Sequence, residues 1–202
     1  MLDRVRDLPA VELDAQGYLN DFWRYHERTE GAFWKLERRQ SFREPDEPGW
    51  VAMSSGDWGR ALSLIEEQRS ATGATPATVS GRQSHRLRIV EQPVSPYLQW
   101  ELHVLQVRAE AGVQDIRILD AAEVSPLEAE HQLPELVFLG SAVMYEVLYD
   151  SDGTHSGGRR HDDPEVIHAC HGQLVELHDA GERLPTYFER EIAPLPAPGG
   201  HA

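Results

Sequence analysis

The clearest chemistry in this sequence lies in two short stretches where charged and apolar residues alternate. Arg86 and Arg88 alternate with Leu87 and Ile89, and Asp115 and Arg117 alternate with Ile116 and Ile118. Tyr97 and Glu101 stand four residues apart on the segment between them. On a strand, residues two apart point to one face, so Arg86 and Arg88 act together. Clustered guanidiniums can clamp a carboxylate or phosphate in bidentate fashion. The candidate ligand-binding set is therefore Arg86, Arg88, Tyr97, Glu101, Asp115 and Arg117, and the matching ligand is a small anion or a nucleotide or RNA phosphate. The competing reading is an ion-pair network in which Glu101 and Asp115 neutralise the arginines. That reading carries more weight, because such pairs are common and are worth only about 0–1 kcal/mol each at a surface.

Other reactive side chains make weaker patterns. Ten histidines are present, and His155, His161, His168, His171 and His178 fall in the last third. His168 and His171 sit three apart on a helix and could share a metal with His161 or Asp162. HxxH is a loose pattern without the glutamate of HExxH, and these histidines border an apolar stripe where half-buried side chains belong. No metal and no cofactor is expected. Cys170 lies within that stripe and reads as an inert core thiol. No GxSxG, GxGxxG or GxxxxGK[ST] run occurs, and the single lysine, Lys35, lacks any such setting. Asp150, Asp152, Asp162 and Asp163 fall at turns and caps, where Asp is common anyway. Phe22, Trp23, Phe33 and Trp34 could stack on a nucleobase beside Arg38 and Arg39, though packing against a sheet explains them more simply.

These residues need elements to hold them. Helical spacing of Leu19, Phe22, Trp23 and His26 predicts a helix over 13–29, and alternation through AFWKLERRQSF predicts a strand. REPDEPGW (43–50) reads as turn, and a helix is expected over 56–72. Residues 73–84 read as a mobile loop. Strands are expected at 85–90 and 115–119, joined by a helix over 97–111 that Gly112 closes, which has the dimensions of a right-handed parallel crossover. The segment 121–134 reads as a loop or short helical turn. Strands at 136–139 and 142–149 should form a hairpin through Gly140-Ser141. A short strand near 155–160 follows, with Ser156-Gly157-Gly158 as a hairpin end. Asp162 or Asp163 should then cap a last helix with Pro164 in its first turn. The expected fold is α+β: one domain with a mixed sheet of five or six strands, helices mainly on one face, a βαβ crossover, a hairpin and a C-terminal helix. Residues 1–29 form an N-terminal helical extension, 30–192 the domain and 193–202 a disordered tail.

Composition narrows the function. The 202 residues are 40% hydrophobic and 26% charged, which suits a folded core and excludes wholesale disorder. The net charge is −15, of which residues 101–202 carry −13 with six basic and 19 acidic side chains. Bulk DNA binding is not expected, since affinity for phosphate backbone comes mostly from Lys and Arg. One cysteine excludes an internal disulfide, no apolar run approaches a bilayer span, and MLDRVRDLPAVELDAQ is no signal peptide. A cytoplasmic protein without membrane contact is expected.

The blocks RLRIVEQPVSPYLQWEL (86–102) and AGVQDIRIL (111–119) resemble a bacterial family catalogued as domain of unknown function 6879. Its pattern is an Arg-x-Arg strand, a Pro, a Tyr-Leu-x-aromatic-Glu helix and an Asp-Ile-Arg strand. Arg86, Arg88, Pro93, Tyr97, Trp100, Glu101, Asp115 and Arg117 occupy those positions. FWKLE (33–37), MYEVLYDSDG (144–153) and DDPEVI (162–167) resemble further blocks, so the likeness covers roughly residues 30–180. Gln114 stands where the family commonly has an acid, and HACHGQLVELHD replaces a tryptophan-rich helix end. The resemblance implies a fold, a mostly actinobacterial lineage and a frequent neighbourhood of helix-turn-helix regulators. Together with the missing catalytic motifs, it leads to the expectation of a non-catalytic regulatory or ligand-binding accessory module with a small anionic ligand or a protein partner. The alternative is a small biosynthetic or tailoring enzyme that holds an anionic or aminoacylated substrate with the Arg/Glu/Asp cluster.

Overall fold

The computed structural model describes residues 1–72 and 83–199. Most of the stretch read as a mobile loop, and the end of the tail, lie outside the described residues. The N-terminus forms a 3-10 helix, Leu2–Asp7, followed by β1 Val11–Asp14, α1 Ala15–Arg28 and β2 Phe33–Glu37. Two helices come next, α2 Pro48–Ser54 and α3 Trp58–Thr72. The crossover runs β3 Ser84–Val90, α4 Pro96–Glu110 and β4 Asp115–Asp120, and a short α5 Ala121–Val124 follows. The second half holds β5 Glu135–Leu139, β6 Val143–Tyr149, β7 His155–His161, α6 Pro164–Ala180, β8 Glu182–Arg183 and α7 Leu184–Tyr187.

The eight strands form one sheet in the order β1-β7-β6-β5-β2-β3-β4-β8. Only β2–β3 and β3–β4 are parallel, so the sheet is mixed and the α+β class holds. The strands at 84–90 and 115–120 are parallel neighbours linked by α4, as the crossover spacing predicts. Gly140, at φ +55°, turns β5 into β6. Asp163 caps α6 by accepting from the backbone N–H of Glu165 and Val166.

Several expectations of layout differ from the structure, beginning with the sheet, which has eight strands rather than five or six. Helices cover both faces of the sheet, because the central parallel strands present side chains to be buried on each side. Leu36, Leu87, Ile89, Leu119 and Phe138 pack under α6, through Ile167, Cys170 and Leu174. On the other face, Val90, Ile116 and Ile118 meet Leu98, Leu102 and Leu105 of α4, while Val137, Val143 and Tyr145 meet Tyr18 of α1. Residues 1–29 also join the same sheet. β1 pairs with β7, and Leu2 and Val5 are fully buried in the α6-side core. Ser156–Gly158 lie inside β7 rather than at a hairpin end. Gly157, at φ +146°, sits where a Cβ would come within 2.2 Å of the Leu13 carbonyl, so only glycine lets β1 approach. α2 begins within the stretch read as a turn, with Pro48 in its first turn, where a missing N–H costs nothing. Part of the tail is held, since the Gln99 amide donates to the Pro196 carbonyl at 3.0 Å.

Candidate functional site

α4 is buried on two sides. Leu98, Leu102 and Leu105 face the sheet, while Tyr97, Trp100 and Val107 face α2 and α3. Between the two apolar clusters that cover this face of the sheet, the middle strands present charges. Period-two alternation puts Lys35 and Glu37 of β2, Arg86 and Arg88 of β3 and Glu135 of β5 on the same face. Their register partners agree, with Lys35 opposite Arg86 and Glu37 opposite Arg88.

Arg88 is completely buried. Its Nε donates to Glu101 Oε2 at 2.9 Å, and Nη1 donates to the carbonyls of Glu37 and Ile89 at 3.2 Å. Among the described residues Nη2 has no hydrogen-bond partner, and the guanidinium lies 5.9 Å from the Phe42 ring centre. Arg86 pairs with Glu37, which also takes Lys35. Arg86 Nε donates to Gln114 Oε1 at 3.2 Å, and Gln114 donates in turn to Ser84 Oγ at 2.7 Å. Gln114 thus serves as a neutral acceptor for Arg86. The Tyr97 hydroxyl stands between Glu44 Oε2, at 3.3 Å, and Glu101 Oε1, at 3.5 Å.

Burial sets the electrostatics of this seam. It would raise the Glu37 carboxyl, but Arg86, Lys35 and Arg88 outweigh it and hold that carboxyl far below the usual range. Burial likewise opposes the charge on Arg88, yet Glu101, Glu37 and Glu135 keep the guanidinium firmly protonated. Among the described residues Glu135 makes no direct ion pair, although Arg88 lies near enough to favour its charge. Its Oε1 accepts from the N–H groups of Arg38 and Arg39 at 2.9 and 2.6 Å, and burial still pushes its carboxyl up to about 7. Burial and then Glu101 raise Glu44, and burial followed by the same carboxylates pushes the Tyr97 phenol far above its ordinary value.

A cavity of about 160 Å³ opens beside this network. Its lining brings four carboxylates, Glu37, Glu44, Glu47 and Glu101, against three bases, Lys35, Arg86 and Arg108. Lys35, Arg86, Glu37 and Glu101 are already in ion pairs within the network. Among the described residues, Glu44, Glu47 and Arg108 line the cavity without an ion pair.

The residues expected from the sequence therefore divide. The structure brings Arg86, Arg88, Tyr97 and Glu101 together, but it sets Asp115 and Arg117 on the opposite face. Arg117 is the register partner of Leu87, not of an arginine, and neighbours across a sheet share a face. There Arg117 Nε donates to Asp115 Oδ1, and Nη1 to the Gly181 carbonyl, both at 3.3 Å. Lys35, Glu37, Glu44, Arg108 and Glu135 escape the sequence reading. A signal existed for Arg108, since Tyr97, Glu101, Val104 and Arg108 recur at helical spacing along one side of α4. The aromatic group does not form one platform either. Trp34 packs in the α6-side core, Phe22 and Phe33 against the other face, and Trp23 is exposed. His168 and His171 line a separate cavity of about 510 Å³ with Trp34 and Glu30, and among the described residues they belong to no trio whose ligating atoms all lie within 4.8 Å of one another. No helix among the described residues is long and apolar enough to cross a membrane.

Comparison with known proteins adds little about activity. No curated protein matches the chain. Among solved structures, the fold is similar to TrmBL2, an archaeal chromatin protein described as showing a novel mode of DNA binding, with a TM-score of 0.46 and 10% identity. That match covers 87% of this chain and 52% of the other, so the chain spans about half the length of that protein. The ordered blocks around the β3–α4–β4 crossover have a firmer counterpart: the model of the family described as domain of unknown function 6879 matches residues 20–189, and the chain belongs to that family.

Proposed function

We propose that this chain is a non-catalytic, ligand-binding accessory module whose ligand is a small molecule carrying both an amine and an acid group. The observation that supports this reading is the division of charge around the 160 Å³ cavity, where Glu44, Glu47 and Arg108 are left over once the network has neutralised itself. That volume corresponds to about five waters at roughly 30 Å³ each, which suits a molecule of amino-acid size. A purely anionic ligand, the partner expected for an open arginine pair, would meet four carboxylates and two bases already engaged. An ammonium beside Glu44 and an acid group against Arg108 would answer two of those three left-over charges, and Glu47 accepts from the Gly49 N–H. Long helical side chains lean toward the helix N-terminus, which carries the Arg108 head back toward Glu101.

Two features support a non-catalytic role. Among the described residues the lining offers no Ser, Thr, Cys or His, and a Tyr97 phenol raised so far is a poor proton donor or nucleophile. With the helix-turn-helix neighbourhood that the family resemblance implies, the module would report a cytoplasmic metabolite to a regulator.

A thermal-shift screen with amino acids, simple amines, phosphate and nucleotides tests the reading, because a ligand that binds the native state raises its melting temperature. Molecules bearing both groups should raise it by several degrees in the parent and not in Arg108→Ala or Glu44→Gln, each of which should melt near the unliganded parent. Shifts produced by anions alone, or none with any amine, would overturn it.

A further inference from the structure

The opposite face of the sheet gathers a second set of side chains. His85 of β3 and Asp115 of β4 are register partners, so they stand side by side on the α6 face. His178, near the C-terminal end of α6, reaches the same place. One ligating atom from each of the three lies within 4.8 Å of the other two, and His85 Nδ1 is 3.9 Å from Asp115 Oδ2. Among the described residues no other trio of potential ligands meets in this way.

Both rings pack against Trp34. Trp34 stacks on His85 at 4.1 Å between ring centres and 16° between planes, and meets His178 edge-on at 5.1 Å. His178 is only 2% exposed, its Nε2 is 3.4 Å from the Asp115 carbonyl oxygen, and its buried Nδ1 has no hydrogen-bond partner among the described residues, with Asp179 Oδ1 3.9 Å away. His85 Nδ1 is likewise buried and without one. Asp115 Oδ1 is taken by Arg117, which leaves Oδ2 on the histidine side.

We propose that His85, Asp115 and His178 form a binding site for a divalent transition metal of the zinc class. Two imidazoles and one carboxylate are the donor set that suits zinc, cobalt or nickel, with a further position left for water. Tetrahedral bonds of 2.0–2.1 Å require ligand atoms about 3.3 Å apart, a contraction that rotation of the partly exposed His85 and Asp115 side chains supplies. The bound ion ties β3, β4 and the end of α6 together. This departs from the expectation of no metal, and it involves neither His168 nor His171.

The test uses untagged full-length chain stripped with a chelator. Titration with Co²⁺ should give one equivalent of visible absorption typical of four- or five-coordinate cobalt. Zn²⁺ should displace it and raise the melting temperature by several degrees. His85→Asn and Asp115→Asn should each weaken Co²⁺ binding at least tenfold while keeping the parent circular dichroism, whereas a His168→Asn/His171→Asn double variant should bind as the parent does. These two variants change partly exposed side chains, so the test does not depend on replacing buried His178. Absence of both the cobalt spectrum and the zinc shift in the parent would overturn the site. So would binding that survives in His85→Asn/Asp115→Asn, or that disappears only in the His168/His171 variant.

Discussion

Arg88 and Glu135 show how differently two buried charges can be held. Arg88 has a carboxylate at 2.9 Å and two carbonyls, while Glu135 has only backbone N–H groups. Removing Arg88 leaves the buried Glu101 carboxylate without its ion-pair partner, whereas Glu37 keeps Arg86 and Lys35; breaking one side of a buried pair typically costs about 3–5 kcal/mol. Arg88→Ala should therefore lower the urea midpoint sharply, whereas His171→Ala, on the far side of the sheet, should leave it close to the parent value. Glu135 works through pH. Its carboxyl titrates at about 7 in the fold against 4.5 when free, so the native state binds a proton more tightly than the unfolded chain. Its contribution is full below about pH 4.5 and is lost as pH rises to 7, at about 1.4 kcal/mol per unit and so about 3 kcal/mol in all. Glu135→Gln removes that dependence. The stability of the variant relative to the parent should rise by that order between pH 4.5 and 8 in paired urea melts. A constant gap would show that Glu135 is ionised throughout.

At the scale of elements, the N-terminal segment carries more than its length suggests. Its 3-10 helix inserts Leu2 and Val5 beneath α6, and β1 completes the β7 edge of the sheet, where Arg159 also donates to Glu12 and to the carbonyls of Arg6 and Leu8. Losing a fully buried large aliphatic side chain costs about 2–5 kcal/mol. A chain starting at residue 15 should therefore have a clearly lower urea midpoint and weaker protection of β7 amides from hydrogen exchange. An unchanged midpoint would return residues 1–14 to the standing of a dispensable extension. α4 makes the complementary point, because a helix buried against both the sheet and α2–α3 can carry Tyr97 and Glu101 only if charges on neighbouring elements meet them.

For the whole molecule, the sheet is a partition. It separates a self-neutralising seam with a small amphoteric cavity from a histidine-rich face under α6, and the two candidate sites share strand β3 without sharing side chains. The net charge of −15 falls mostly in the second half, while the bases that matter for the cavity come from the first half, apart from Arg108. Local signals in the sequence determined the crossover, the β5–β6 hairpin, an aspartate cap ahead of Pro164 and the shared face of Arg86 and Arg88, since alternation, glycine turns and capping act within a few residues; the structure chose Asp163 over Asp162 as the cap. They also determined that Arg88 would face a carboxylate rather than water if α4 packed above it. Only the tertiary structure decided that Arg117 lies across the sheet from that arginine pair, because parity between strands depends on register and a slip of one residue exchanges the faces. The same holds for Glu135 beside Arg88 and for His85, Asp115 and His178 at one point. Their separations along the chain, from 30 to 93 residues, leave no local pattern, and their meeting follows from strand order and from where α6 returns to the sheet.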